Sequence, residues 1–306
     1  MNKTELFDRK NRESIGEWTI TRVIQTAGYS SILFVLLIFL FLMANGLPAL
    51  KDVEFTNLFS TIWYPIEQYY GILPLILGSL VVTIGAALVS VPVGILTAVY
   101  ISEIAPRWAK EVLKPVIEIL AGIPSVVLGF LGAIVLAPFL RESLNLPTGL
   151  TALAGSILLG AIAIPTIVSI SEDALNTVPK SYREAALALG TTRWQTIWGV
   201  SVPAARSGIL MAVLLGIGRS IGETMTVMMV TGNAPVMPDS LGVLFAPIRT
   251  MTATIASEMG EVASGSPHYH VLFFIGIVLF IITLGVNVMA SRIAFRSRKR
   301  SERVLS

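Results

Sequence analysis

No Asp, Glu, Lys or Arg lies between Arg22 and Lys51, Glu67 and Glu103, Glu118 and Arg141, Glu142 and Glu172, or Glu261 and Arg292. A helix needs about 20 apolar residues, rising 1.5 Å each, to cross a hydrocarbon core about 30 Å thick. Such runs leave water a poor solvent for the chain, and a mean hydropathy of +0.77 with 13% charged residues agrees. Six spans are expected, over 27–47, 72–100, 116–140, 150–171, 204–231 and 270–291. Only the fifth carries charge inside it.

The placement of Lys and Arg gives an orientation. Five stand in the leading tail, then Lys51 alone, then Arg107, Lys110 and Lys114, then Arg141 alone, then Lys180, Arg183 and Arg193, then Arg249 alone, and six from Arg292 onward. Positive residues collect on the cytoplasmic side, so both termini and the stretches 101–115 and 172–203 are expected there, with 48–71, 141–149 and 232–269 outside. The basic C-terminal tail reads as a topology and headgroup element, with no nucleic-acid role. The first apolar run lacks an A-x-A cleavage pattern and is expected to stay as an anchor.

Pro92 and Gly122-Ile123-Pro124-Ser125 interrupt the second and third spans, where backbone bonding must be completed by neighbours or by water. That serves either a transport path or a kinked packing helix. In the fifth span, Arg219 and Glu223 stand one turn apart. A mid-membrane arginine costs about 2.5 to 3.5 kcal/mol, so it must face protein or water with a partner, for which Glu223 is the expected choice. Gly208, Ala212, Gly216, Ser220 and Thr224 form a stripe of small residues beside the charges, fit for close helix packing. The pair serves transport or structure; for transport, the planar guanidinium can meet phosphate oxygens bidentately.

From Pro179, good helix formers run to Leu189, with Pro179 expected at the first helical position and Gly190 as the left-handed stop. Thr192 with Gln195 is a capping-box signature, and Pro203 marks the junction with the fifth span. Ala185, Ala186 and Ala188 are expected on an exposed face with little side chain to obstruct a partner. The plain alternative is an interfacial linker. None of the seven lysines follows a glycine, so the chain has no Walker A motif. His268 and His270, without an H-E-x-x-H pattern, are expected to be interfacial, and no metal site is expected. The segment 233–269, with Met251, Ile255 and Met259 at helical spacing, is expected to form a re-entrant or surface helix.

Glu184-Ala185-Ala186, three residues, Gly190, nine residues, then Val200-Ser201-Val202-Pro203 resembles the EAA motif of bacterial ABC importer permeases, with Val where Ile and Leu are usual. The resemblance implies an all-α integral membrane fold of the type I importer kind, with a leading helix (27–47) and a five-helix core (72–294) between a cytoplasmic tail (1–26) and a basic tail (295–306). It also implies that Glu184, Ala185, Ala186, Gly190 and Pro203 belong to the loop that docks on a separate ATPase. Gly218-Arg-Ser-Ile-Gly222-Glu-Thr-Met225 with Val230-Thr-Gly-Asn233 is similar to the PstC-type members of the phosphate branch, as are stretches 120–127, 170–175 and 252–261.

That likeness implies a substrate pathway drawn from Arg219, Glu223, Ser220, Thr224 and Ser125. It implies as partners a homologous second permease of the PstA type, a PstB-type ATPase dimer and an external PstS-type phosphate-binding protein. ATP and Mg would sit on the ATPase, with no cofactor and no catalytic residue on this chain. Two rivals stand: a permease of the same architecture carrying molybdate or sulfate, and a stand-alone secondary transporter.

Overall fold

The computed structural model describes the backbone of residues 3–305 and the side-chain surroundings of residues 17–292 apart from Leu241. The basic residues before Glu17 and after Arg292, which entered the orientation argument, lie outside the residues whose side chains are described. The helices used below are α1 (Lys3–Gly46), α2 (Leu73–Ile104), α3 (Arg107–Gly122), α4 (Ser125–Leu144), α5 (Ala152–Asn176), α6 (Lys180–Ala188), α7 (Arg193–Gly222), α8 (Met225–Val230), α9 (Met251–Glu258) and α10 (Pro267–Leu305). Among the described residues six helical stretches are long and apolar enough to cross a membrane, as expected: Glu17–Asp52, α2, α4, α5, α7 and Pro267–Arg292. A two-stranded hairpin, β1 (Trp63–Tyr64) and β2 (Tyr69–Tyr70), precedes α2.

Two spans differ from expectation. The third does not run on from 116. Ile123 and Pro124 are extended (ψ 127° and 133°), which ends α3 at Gly122 and starts α4 at Ser125. Proline has no N–H to offer and pushes the preceding residue out of the helical region, so the break falls where the chemistry puts it. The fifth span begins earlier, at Arg193, and ends at Gly222, where Glu223 turns extended (ψ 128°). Pro92, by contrast, does not interrupt α2, which stays helical to Val99 and closes with a π turn at Tyr100–Ile104.

The centre of the bundle is α5. Of its most apolar window 56% is buried, against 11% to 28% for the other spans, because α2 packs on one side and α7 on the other. Between apolar helices in lipid there is little hydrophobic driving force, so close backbone approach and dispersion contacts carry the packing. The small-residue stripe of α7 supplies that approach. A Cβ at Gly208 would lie 2.3 Å from Ala174 Cβ, and one at Gly216 would lie 2.6 Å from Ile167 Cγ1. Ala212 and Ser220 are buried, while Thr224, the last member of the expected stripe, stands beyond the end of α7. The helix that receives the stripe is thus α5 of the same chain. Outside this core, α10 packs on both α7 and α1.

Candidate functional site

Two places gather the residues singled out in the sequence. The first is the break after Gly222. Here α7 ends and three helices begin, namely α4 at Ser125, α8 at Met225 and α9 at Met251. Hydroxyl side chains hold these ends together. Thr226 Oγ1 donates to Ser125 O at 2.9 Å, Thr252 Oγ1 donates to Glu223 O at 3.0 Å, and Thr224 Oγ1 donates to Gly222 O at 3.2 Å. The starts of α8 and α9 are capped from within the protein, Thr226 N–H by Glu223 Oε1 and Ala253 N–H by Thr250 Oγ1, so the cation at this junction is a side chain.

Arg219 lies in the last turn of α7, three residues before its end at Gly222, exposed on the isolated chain, with Nη1 donating to Thr166 Oγ1 of α5 at 3.2 Å. The expected ion pair with Glu223 does not form: among the described residues no ion pair involves Arg219. The reason is the break itself. An i,i+4 contact needs a continuous helix, whereas Glu223 is extended and its Oε1 accepts from the backbone N–H of Thr224 (3.2 Å) and of Thr226 (3.4 Å). The guanidinium therefore keeps most of its donors, and the carboxylate caps the next helix. Ser220 is buried and donates back to Gly216 O at 3.2 Å, which turns it away from Arg219. Ser125 is half-buried at the mouth of α4. Thr166, Thr226 and Thr252 were missed in the sequence; hydroxyls repeated inside apolar segments, as in Thr224-Met-Thr226 and Thr250-Met-Thr252, were the available signal.

Buried in the body, α9 is not a surface helix. Met251 N–H donates to Ser79 Oγ of α2 at 2.9 Å, and Met251 through Thr254 are buried. At its far end Glu258 accepts from Trp63 Nε1 (3.2 Å), pairs with His268 Nε2 (2.9 Å), and also pairs with Arg249. Burial raises the pKa of Glu258, but hydrogen bonds from His268 and Trp63 and the charge of Arg249 outweigh it and hold the carboxyl below its usual range. His270 Nδ1 meets Asp52 Oδ2 at 2.5 Å, so each histidine has its own carboxylate.

The second place is the elbow between α5 and α7. Pro179 caps α6 from one position outside the helix, a residue earlier than expected, and Gly190 takes the left-handed conformation (φ +82°) that stops it. The capping box is complete: Thr192 N–H donates to Gln195 Oε1 (2.8 Å) and Gln195 N–H to Thr192 Oγ1 (3.3 Å). Glu184, Ala185 and Ala188 are exposed, but Ala186 is buried at 7%, so the expected three-alanine face is a two-alanine face. The reason is helical period: Ala186 stands on the side turned to the protein, where its carbonyl accepts from Thr191 Oγ1 at 2.8 Å. Around it Leu187, Leu189 (86%) and Trp194 (59%) are exposed, an apolar surface on an otherwise polar elbow. Pro203 does not mark the start of the span. It lies inside α7, directly after a π turn at Ile197–Ser201 whose wider spacing accommodates its missing N–H.

Arg183 enters the sequence argument through its charge alone. In the structure its guanidinium contacts Glu103 Oε1 from Nη2 (2.7 Å) and Nε (3.1 Å), and also donates to Leu175 O, Val178 O and Ser201 Oγ.

Residues 90–301 match the family described as binding-protein-dependent transport system inner membrane component. The chain is 44% identical over 256 residues to the probable ABC transporter permease protein YqgH of Bacillus subtilis, covering 82% of this chain and 80% of that protein. It is 36% identical over 275 residues to the phosphate transport system permease protein PstC of Xylella fastidiosa, covering 83% of each. Among solved structures, a chain of a bacterial alginate ABC transporter in complex with an alginate-bound periplasmic protein shares the fold. Its TM-score is 0.58 at 16% identity, over 88% of this chain and 93% of that one.

Proposed function

The chain belongs to the family of binding-protein-dependent transport system inner membrane components, and from that premise we propose that it passes inorganic phosphate through half of the pathway of an ATP-driven importer. As a member of that family it is a multi-pass inner-membrane permease subunit, and ATP is hydrolysed by another chain of the transporter.

The observation that carries phosphate as the cargo is the guanidinium of Arg219, tied among the described residues to Thr166 Oγ1 alone, beside a junction where three helices begin. A planar donor fork with most of its N–H groups unclaimed suits a tetrahedral oxyanion. The PstC relatives support the same cargo. In this reading Arg219, Thr224 and Ser125 face the anion, while Ser220 and Glu223 hold the backbone that presents them. The face with α6, and both termini, is cytoplasmic, in keeping with the Lys and Arg distribution.

A PstS-type protein delivers phosphate to the opposite mouth, and a PstA-type permease supplies the other half of the pathway. A PstB-type ATPase dimer, holding ATP and Mg, closes against Glu184, Ala185 and the exposed apolar residues around them. The coupling residues Gly190 and Pro203 shape that elbow, and Ala186 seats it on the protein. The test is uptake of radiolabelled phosphate into proteoliposomes holding the assembled importer. Uptake should need ATP and be displaced by excess unlabelled phosphate. Equal displacement by sulfate or molybdate, or uptake without ATPase, refutes the reading.

A further inference from the structure

The geometry points to Arg183 as the positioning residue that makes α6 move together with three membrane spans, at the C-terminal ends of α2 and α5 and at the π turn within α7. This rests on the reading of α6 as the ATPase-coupling helix.

Of the nine residues of α6 only Ala186 is buried, so apolar packing gives the helix little grip on the protein. The grip is polar and centred on one side chain. Glu103 belongs to the π turn closing α2, and its carboxylate is 9% exposed, which leaves Arg183 as its charge partner out of bulk water. Leu175 O (2.8 Å) lies in the last turn of α5 and Val178 O (3.3 Å) just past it. Carbonyls at a helix C-terminus lack intrahelical partners and carry negative partial charge, so a guanidinium there satisfies them and completes the helix end. Ser201 Oγ, accepting at 3.3 Å, belongs to the π turn of α7.

One rigid fork thus spans α2, α5 and α7. A lysine in its place would keep the charge facing Glu103 but lose the fixed multi-point geometry. Both π turns that open this corner are devices common at functional sites and hinges. Displacing α6 with Arg183 in place must therefore drag all three helices or break several charge-assisted hydrogen bonds at once. Without Arg183, α6 can swing on its connecting segments while the spans stay still.

Two measurements on the full-length protein test this. Hydrogen–deuterium exchange of residues 180–188 is followed in the chain alone in detergent, so it decides the matter even for a variant that does not assemble. Exchange should quicken severalfold in Arg183→Ala, less in Arg183→Lys, and also in Glu103→Gln, with residues 152–170, the body of α5 ahead of the clamped end, unchanged. In the assembled importer, inorganic phosphate taken up per ATP hydrolysed should fall severalfold in Arg183→Ala and recover in part in Arg183→Lys. A merely structural role would lower the amount of importer and leave that ratio alone. Unchanged exchange in Arg183→Ala overturns the inference, as does an unchanged ratio. A wild-type importer with a protected α6 that moves no phosphate would sink the phosphate reading while leaving the clamp standing.

Discussion

Replacing Gly216 by valine tests the packing on which the whole bundle rests. A Cβ at this position lies 2.6 Å from Ile167 Cγ1 and 2.9 Å from its Cδ1. Carbon atoms pack at about 3.5–4.0 Å, so the overlap is about 1 Å before the γ-methyls are added. Ile167 has no room to yield: it is fully buried, and on its other side Gly94 of α2 brings a would-be Cβ to 2.7 Å from its Cγ2. Overpacking costs about 1–3 kcal/mol where neighbours can adjust, and this site, gripped from two helices, belongs at the upper end. With about 2–4 °C per kcal/mol for chains of this size class, the unfolding midpoint of the solubilised protein should fall by about 5–10 °C. Tryptophan fluorescence during heating reads this directly. Gly222→Ala is the control, since nothing lies within 4 Å of its would-be Cβ. Ile167→Ala in the Gly216→Val background should recover part of the loss, although alone it costs about 2–5 kcal/mol. Equal midpoints for Gly216→Val and Gly222→Ala would show that α7 does not pack on α5 through its small-residue stripe.

The Glu258 carboxyl, held below its usual range, binds fewer protons folded than unfolded. It therefore contributes stability above the unfolded value of about 4.3, lost as pH falls through the lower folded value. Glu258→Gln should melt several degrees lower at neutral pH, and the gap to wild type should close in acid; a gap that persists in acid contradicts this. Thr226→Val removes the bond that ties α8 to Ser125 O, and should cost about 1 kcal/mol of stability and reduce phosphate uptake more than protein level. Glu184→Lys reverses the charge at the exposed elbow and should lower co-purification of the ATPase with no change in the melting midpoint of the chain alone. A lowered midpoint would mean that Glu184 serves the fold.

The spans were legible because a charge-free run of that length has one solution in lipid, a helix. The interruption at Ile123–Pro124 was marked, but inside a span drawn from 116 and not as the span's start, and Pro92, read the same way, leaves its helix unbroken. The break after Gly222 was not, since nothing in Gly222-Glu-Thr224 forbids a helix. What decides it is tertiary: Thr252, 29 residues on, bonds Glu223 O, and the Glu223 side chain caps α8. The Arg219–Glu223 pair failed for the same reason. Ala186 turned inward because α6 docks on the protein along one face, a fact of position that composition does not carry. Arg183 stayed hidden because its partner Glu103 stands 80 residues away. The elbow's capping box and left-handed Gly190, by contrast, are local devices and stood where the sequence put them.

The central claim concerns one guanidinium beside three helix starts. Its most direct test is ATP-driven uptake of radiolabelled phosphate by the assembled importer carrying Arg219→Gln, at matched protein levels. Uptake should fall at least about tenfold, corresponding to the loss of roughly 1.4 kcal/mol or more of charge-assisted binding. Uptake at the wild-type rate would remove Arg219 from the phosphate path, and with it the account given of the site.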